Sequence, residues 1–320
     1  MNSSFRVRLK QYGSLYIFIL VPLLYFTVYH YVPIILQAIL SFKEYSIDKG
    51  IMDSPWVGWK NYIDIFSAPQ FRRLIVNTVK IALMRLVVGF VPPIILAIML
   101  YDMRSIRFRK FSQTILYIPH FFSWVVIYAI VYALFASGGY INNIAEELGG
   151  TRIDYLMDSK WFYPLLIGSG VFKDIGWGTI IYMAALSDID PQLFEAAMID
   201  GAGPLARIRF ITLPSIRPIV VFLLTISIGQ ALNNTGMEQI LLYYSPANYS
   251  VADVIDTWVY RVGFGELRYS MGAALSQFKS VIGLALILLF NKIAIKISGR
   301  ALAAQGAHEP FSMMPTRRFW

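Results

Sequence analysis

Cysteine is missing from all 320 residues, which excludes disulfides, thiolate metal sites and cysteine nucleophiles and leaves the compartment open. Histidine is nearly missing too. His30, His120 and His308 are scattered, with no His-x-x-x-His pair for zinc. No G-x-x-x-x-G-K-[ST] phosphate loop and no Gly-x-Ser-x-Gly elbow occurs, so the chain should hydrolyse neither ATP nor an ester by those devices. Charged residues make up only 15% of the chain, against 57% hydrophobic and a mean hydropathy of +0.57. A soluble domain cannot hide that much apolar surface, so the membrane class is favoured. The net charge of +9 is compatible with nucleic acid, but Lys and Arg also accumulate in cytoplasmic segments of membrane proteins, and that reading needs no nucleic acid.

A spanning helix needs roughly 20 mostly apolar residues, because lipid offers its backbone no hydrogen bonds. Six such stretches lie near 14–41, 74–101, 111–136, 161–187, 215–244 and 271–297. The first is too long for a cleaved signal and lacks a convincing cleavage site, so it is retained as a span. Basic residues set the orientation: Arg6, Arg8 and Lys10 precede the first span, and Arg104, Arg107, Arg109 and Lys110 crowd the second connection. Arg207, Arg209 and Arg217 mark the fourth, and Lys292, Lys296 and Arg300 follow the last span. All four groups fall on one side if both termini are cytoplasmic. Trp56, Trp59, Trp161 and Trp258 sit near the opposite ends, as interfacial anchors would.

The fourth connection is the most informative segment. Asp190 before Pro191 reads as an N-cap with proline at the first helical position, so Pro191 to Asp200 is predicted as a short helix with Glu195 near its positive end. Gly201 and Gly203 break it. Pro204 starts a second short helix, predicted to end before Pro214. Ala196 and Ala197 make a small face that a partner can approach closely; an ordinary amphipathic connector is the plain alternative.

Glu195-Ala196-Ala197, then Gly201, then Ile211-Thr212-Leu213-Pro214 resembles the Glu-Ala-Ala, Gly, Ile-x-Leu-Pro pattern of a known family. It is that of the membrane-spanning permease subunits of ATP-binding-cassette importers serving binding-protein-dependent sugar uptake. Asp200-Gly201-Ala202, Ala184-Ala185-Leu186, Val57-Gly58-Trp59-Lys60-Asn61-Tyr62 and Asn77-Thr78 agree with it, so the resemblance covers nearly the whole chain. It implies an all-α integral membrane protein with six transmembrane helices, a five-helix type I importer permease core over 73–297, and a cytoplasmic coupling loop. Residues 1–72 would hold the N-terminus, first span and outer loop, and 298–320 a cytoplasmic tail. The loop would insert into a cytoplasmic ATPase subunit through Glu195, Ala196, Ala197, Asp200, Gly201, Ala202, Leu213 and Pro214. The implied partners are a second permease, two ATPase subunits that bind the ATP and Mg, an extracytoplasmic solute-binding protein and an oligosaccharide cargo. No cofactor is expected on this chain, and the implied location is a bacterial cytoplasmic (inner) membrane.

Charges inside the spans bear on the cargo. Each costs about 2.5–3.5 kcal/mol at mid-bilayer on insertion scales, so by default it faces a cavity or a partner. Lys80 and Arg85 fall about 140° apart on a helical wheel, so they cannot both face one narrow cavity. Lys173 and Asp174 are neighbours and point apart. Gln230, Asn233 and Asn234 share a helix face, and with Gln277 they offer hydrogen bonds to sugar hydroxyls, or equally to other helices. Tyr117, Phe121 and Trp124 form an aromatic stripe that stacks on sugars or packs on helices. Trp177 and Lys279 complete the candidate path. Cations outnumber anions here, which points to an acidic oligosaccharide of the alginate or pectin type. The regions Tyr29–Pro33 and Tyr117–Phe122 resemble a subfamily that includes permeases for such polysaccharides. A neutral oligosaccharide is the first alternative. An integral-membrane glycosyl or acyl transferase is the second, disfavoured by the lack of an acidic or histidine cluster near one interface.

Overall fold

The computed structural model describes Tyr12, Tyr16, residues 18–231 and residues 236–298. Arg6, Arg8, Lys10, Asn233, Asn234, Arg300 and the tail to Trp320 lie outside the described residues. What is described is helical, with only two isolated β-bridges, Lys43 to Trp56 and Ser46 to Gly50. In chain order the principal helices are α1 (Phe18–Ser41), α2 (Lys60–Ser67), α3 (Phe71–Tyr101), α4 (Ile106–Tyr117), α5 (Trp124–Phe135) and α6 (Tyr140–Glu147). There follow α7 (Ser159–Ser187), α8 (Pro191–Ile199), α9 (Pro204–Ala231), α10 (Met237–Tyr243), α11 (Ile255–Tyr260) and α12 (Tyr269–Ser298).

Five stretches are long and apolar enough to cross a membrane: α1, α3, Trp124–Glu147, α9 and Tyr269–Leu289. The remaining expected span, 161–187, is the 29-residue α7, about 43 Å long at 1.5 Å per residue. Lys173, Asp174 and four glycines keep its hydropathy low. Its polar groups find partners inside the protein, so it does not need an apolar surface all round.

Three expectations about continuity change. The span expected over 111–136 is not one helix. After α4 the chain tightens into a 3-10 turn, Ile118–Phe121, and extends at Phe122 and Ser123. Ser123 then caps α5 by accepting from Val126 N–H at 3.4 Å. Pro119, with no N–H to give, is what the break is built around. The span expected over 215–244 is not one helix: it is described as helical to Ala231, and α10 begins after Gly236, whose φ of 68° is not helical. The second short helix of the fourth connection does not end before Pro214. It continues through a wide π-turn, Ile208–Thr212, into the span, Leu213 N–H bonding to Ile208 O. The widened turn relieves the clash that a proline ring makes with the preceding carbonyls of a regular helix.

The described residues fall into two compact units. In the first, residues 41–71 form a capped loop: Asn61 Nδ2 bonds the carbonyls of Ser41 and Lys43 at 2.9 Å each, and Tyr62 OH donates to Ser41 Oγ. Lys43, 3% exposed, has its ammonium on the carbonyls of Ile51 and Met52 and over the Trp56 ring. Tyr45 N–H donates to Ser270 Oγ at 2.9 Å, and Phe66, Phe71 and Phe278 form an aromatic triad. In the second unit a core around Ile81, Leu165, Leu166, Ile240 and Tyr243 holds α3, α5, α7 and α10 together. Another core unites Ala97 and Ile98 of α3, Tyr182 and Leu186 of α7, Ile189, and Ile216 of α9.

Candidate functional site

In the second unit α3, α5, α7 and α10 enclose a cavity of about 330 Å³. Arg85, Trp124, Asp174, Gly236 and Gln239 are the chemically distinctive members of its lining. Arg85 Nη2 donates to Gln239 Oε1 at 2.5 Å. Gln239, 1% exposed, turns its amide nitrogen to Leu166 O (2.6 Å) and Ser169 Oγ (2.8 Å), which fixes the amide so that its oxygen faces the guanidinium. Tyr243 OH donates to the same Ser169 Oγ at 2.9 Å. Arg85 Nε is buried without a hydrogen-bond partner among the described residues. Gly236 takes a positive φ of 68°, which other residues rarely adopt, and a Cβ there would also displace the end of the Arg85 side chain. A second recess of about 210 Å³ adds Ser227 and Gln230 to another side of Arg85.

In the same lining, Asp174 Oδ1 meets His120 Nδ1 at 2.8 Å, and the His120 ring stacks on Trp177 with centroids 4.3 Å apart. Phe121, exposed, stands edge-on to Trp177 at 5.8 Å. Lys173 points the other way. Its ammonium bonds His120 O at 2.5 Å and Phe122 O at 2.6 Å and lies 5.5 Å from the Trp124 ring. These are carbonyls freed by the break between α4 and α5, so Lys173 holds that break closed and does not line the cavity.

The other sequence candidates disperse. Lys80 is exposed, its ammonium 4.0 Å over the Tyr163 ring, on a different face from Arg85 as the helical wheel requires. Tyr117 OH sits 3.4 Å from Thr179 Oγ1 as a helix-packing contact. Gln277 and Lys279 are half-buried on α12. Sequence reasoning missed His120, Gln239 and Gly236. The polar Gln239 inside an apolar run was a usable signal; His120 had none, its partner being 54 residues away.

The loop around Glu195 has defined ends. Asp190 accepts from Gln192 N–H at 2.9 Å, capping α8 ahead of Pro191. At the other end Ala202 N–H bonds Ala197 O at 2.8 Å and Gly201 N–H bonds Met198 O at 3.1 Å, with Gly201 at φ 76°. This pair of bonds is a Schellman termination, which needs a left-handed residue at that position. Glu195, Ala196 and Asp200 are exposed, Ala197 and Ala202 are half-buried, and Leu213 and Pro214 are exposed where α9 leaves the loop. Ile199 and Leu205 flank the turn at 86% and 81% exposure, an apolar surface that the described residues do not cover. Phe194 turns inward, onto the core shared by α3, α7 and α9, as do Ile208 and Ile211 farther along.

Residues 89–302 match the family described as "Binding-protein-dependent transport system inner membrane component". The chain is 40% identical over 291 residues to the polygalacturonan/rhamnogalacturonan transport system permease protein YteP of Bacillus subtilis (strain 168), covering 91% of this chain and 90% of that one. It is 39% identical over 300 residues to protein LplB of the same organism, covering 93% and 94%. Its fold is similar to a chain in the crystal structure of a bacterial ABC transporter that imports the acidic polysaccharide alginate. The TM-score is 0.86, with 35% identity, covering 92% of this chain and 100% of that one. A structure of a bacterial alginate ABC transporter with an alginate pentasaccharide-bound periplasmic protein matches at TM-score 0.84 and 34% identity, over 92% and 98%.

Proposed function

Because this chain belongs to the family of binding-protein-dependent transport system inner membrane components, we propose that it is the permease subunit of an ABC importer that carries an acidic oligosaccharide. The observation that carries the reading is Arg85: a guanidinium at the wall of a cavity between spans, with one edge on a fixed amide oxygen and Nε without a hydrogen-bond partner among the described residues. A planar fork of donors in a site of low dielectric is suited to a carboxylate on a passing sugar. Asp174, in the same lining and tied to His120, repels that carboxylate and keeps it from settling, which suits a path whose cargo must leave again. Trp124 supplies an aromatic face at the same level. The similar chains whose printed names include polygalacturonan and alginate point to the same class of cargo.

In this reading the chain binds no nucleotide. ATP and Mg act on separate cytoplasmic subunits, which α8 and the Gly201 turn engage through Glu195 and the exposed apolar residues beside it. A second permease completes the path, and a soluble binding protein delivers the cargo from outside, with both termini of this chain in the cytoplasm.

The test compares uptake of a uronate oligosaccharide and its carboxyl-reduced form by the reconstituted complex. Arg85→Gln removes one charge-assisted interaction, about 1.5–3 kcal/mol, and should slow the charged cargo about 10- to 100-fold while sparing the reduced one. Equal uptake of both cargoes by the unaltered complex would overturn the acidic reading and leave a neutral oligosaccharide.

A further inference from the structure

Part of the cavity wall beside Arg85 is bare backbone. Arg85, Gly89 and Pro93 stand four residues apart on α3 and all three line the cavity, so they make one stripe in steps of about 6 Å. Gly89 is exposed, and with no side chain it can line the cavity only through its main chain. It also lines the recess of about 210 Å³. A Cβ added there would meet nothing within 4 Å, so the space above this stretch of backbone is open.

The Gly89 carbonyl is short of donors as well. In a regular helix the oxygen of residue 89 accepts from the N–H of residue 93, and in a tightened turn from that of residue 92. Both positions are proline, inside α3, and neither has an N–H to give. Val88 is less deprived, because Val91 keeps its N–H for a tightened turn. The cation one turn before Gly89 does not make up the loss: Arg85 Nη2 is on Gln239 Oε1, and Nε has no hydrogen-bond partner among the described residues. Within a bilayer, a carbonyl that has lost its helical donor persists where a neighbouring group or the contents of a cavity satisfy it.

We propose that Gly89 is a sugar subsite: its carbonyl oxygen accepts from a hydroxyl of the passing oligosaccharide, and its missing side chain lets the sugar ring reach the backbone. The inference rests on the importer reading above, though not on the charge of the cargo. A guanidinium selects a carboxylate, whereas a carbonyl oxygen takes any hydroxyl. One stripe of α3 thus divides recognition of charge, at Arg85, from recognition of the sugar, at Gly89.

The test is uptake of labelled oligosaccharide by the reconstituted complex with its ATPase subunits and binding protein. Pro93→Ala supplies the missing N–H. It should slow a uronate oligosaccharide and its carboxyl-reduced form by the same factor, about 3- to 10-fold, the worth of one neutral hydrogen bond. A series of singly deoxygenated cargoes then separates a lost contact from an altered helix. One deoxy cargo should be slow with the unaltered complex and lose nothing further with Pro93→Ala. Gly89→Ala, which puts a methyl group into open space and favours the helix, should slow both cargoes while the thermal midpoint holds or rises. Normal uptake by either variant would overturn the subsite. So would a Pro93→Ala loss of equal size for every deoxy cargo, which would mean a changed helix and no contact. Equal uptake of charged and reduced cargoes by the unaltered complex would sink the acidic reading and leave this subsite standing. Uptake of no oligosaccharide would overturn the importer reading and the subsite with it.

Discussion

Lys173 and Asp174 are adjacent in the sequence and serve opposite purposes. The ammonium satisfies two carbonyls left over by the break between α4 and α5, whereas the carboxylate faces the cavity. Lys173→Met would bury those carbonyls unpaired, at about 1–3 kcal/mol each. We expect a lower midpoint in a thermal aggregation assay, with the ratio of charged to neutral cargo uptake unchanged. A changed ratio would place Lys173 in the path after all. Gly176, one turn along, is a packing residue: a Cβ there would stand 2.0 Å from Leu116 O. Since the obstacle is backbone, Gly176→Ala should cost several times what an alanine costs elsewhere on α7, read as loss of folded protein in mild detergent. At this scale the sequence exposed the charges as anomalies but hid their partners. Lys173 is paid back by carbonyls more than 50 residues away, and no local pattern announces that. Lys80 and Arg85 were both legible as candidate cavity cations, with no sign of which one faced it, and Arg85's partner Gln239 lies 154 residues on.

Among the elements, the loop between α7 and α9 was the most readable, because its devices are local. Asp190, Pro191 and Gly201 act through neighbours within five residues, and each takes the position that its side chain or its φ demands. The misread element is the start of α9. Pro214 signals a stop in any list of helix breakers, but one wide turn at Ile208–Thr212 absorbs it, and π-turns have no dependable sequence pattern. The Schellman turn gives a graded prediction. A Cβ at Gly201 meets nothing within 4 Å, so substitution there acts through backbone conformation alone, at about 1–2 kcal/mol for a residue that resists the left-handed region. Gly201→Val should lower cargo-stimulated ATP hydrolysis and uptake while the protein still inserts. Gly201→Asn, which tolerates positive φ, should retain most of both. Normal uptake by the valine variant would remove the loop from the coupling role.

On the scale of the whole molecule, composition was enough to identify a membrane protein, and apolar run length was enough to find five of the spanning stretches. It served less well for α7, whose polar groups are answered from within, and for the break in the third expected span, where Lys173 takes up carbonyls that the helices leave free. The subunit set follows from the proposed function and is testable as a set. Purification of the tagged chain from its own membrane should bring down an ATPase and a second permease. The double variant Glu195→Ala with Gly201→Val should lose the ATPase and keep the permease. Absence of an ATPase with either form would return the loop to a plain connector. Phe194 gives the loop one more property. It is the α8 side chain packed against the core that α3, α7 and α9 share, so a displacement of α8 would bear on all three helices, as a key turns every pin it touches.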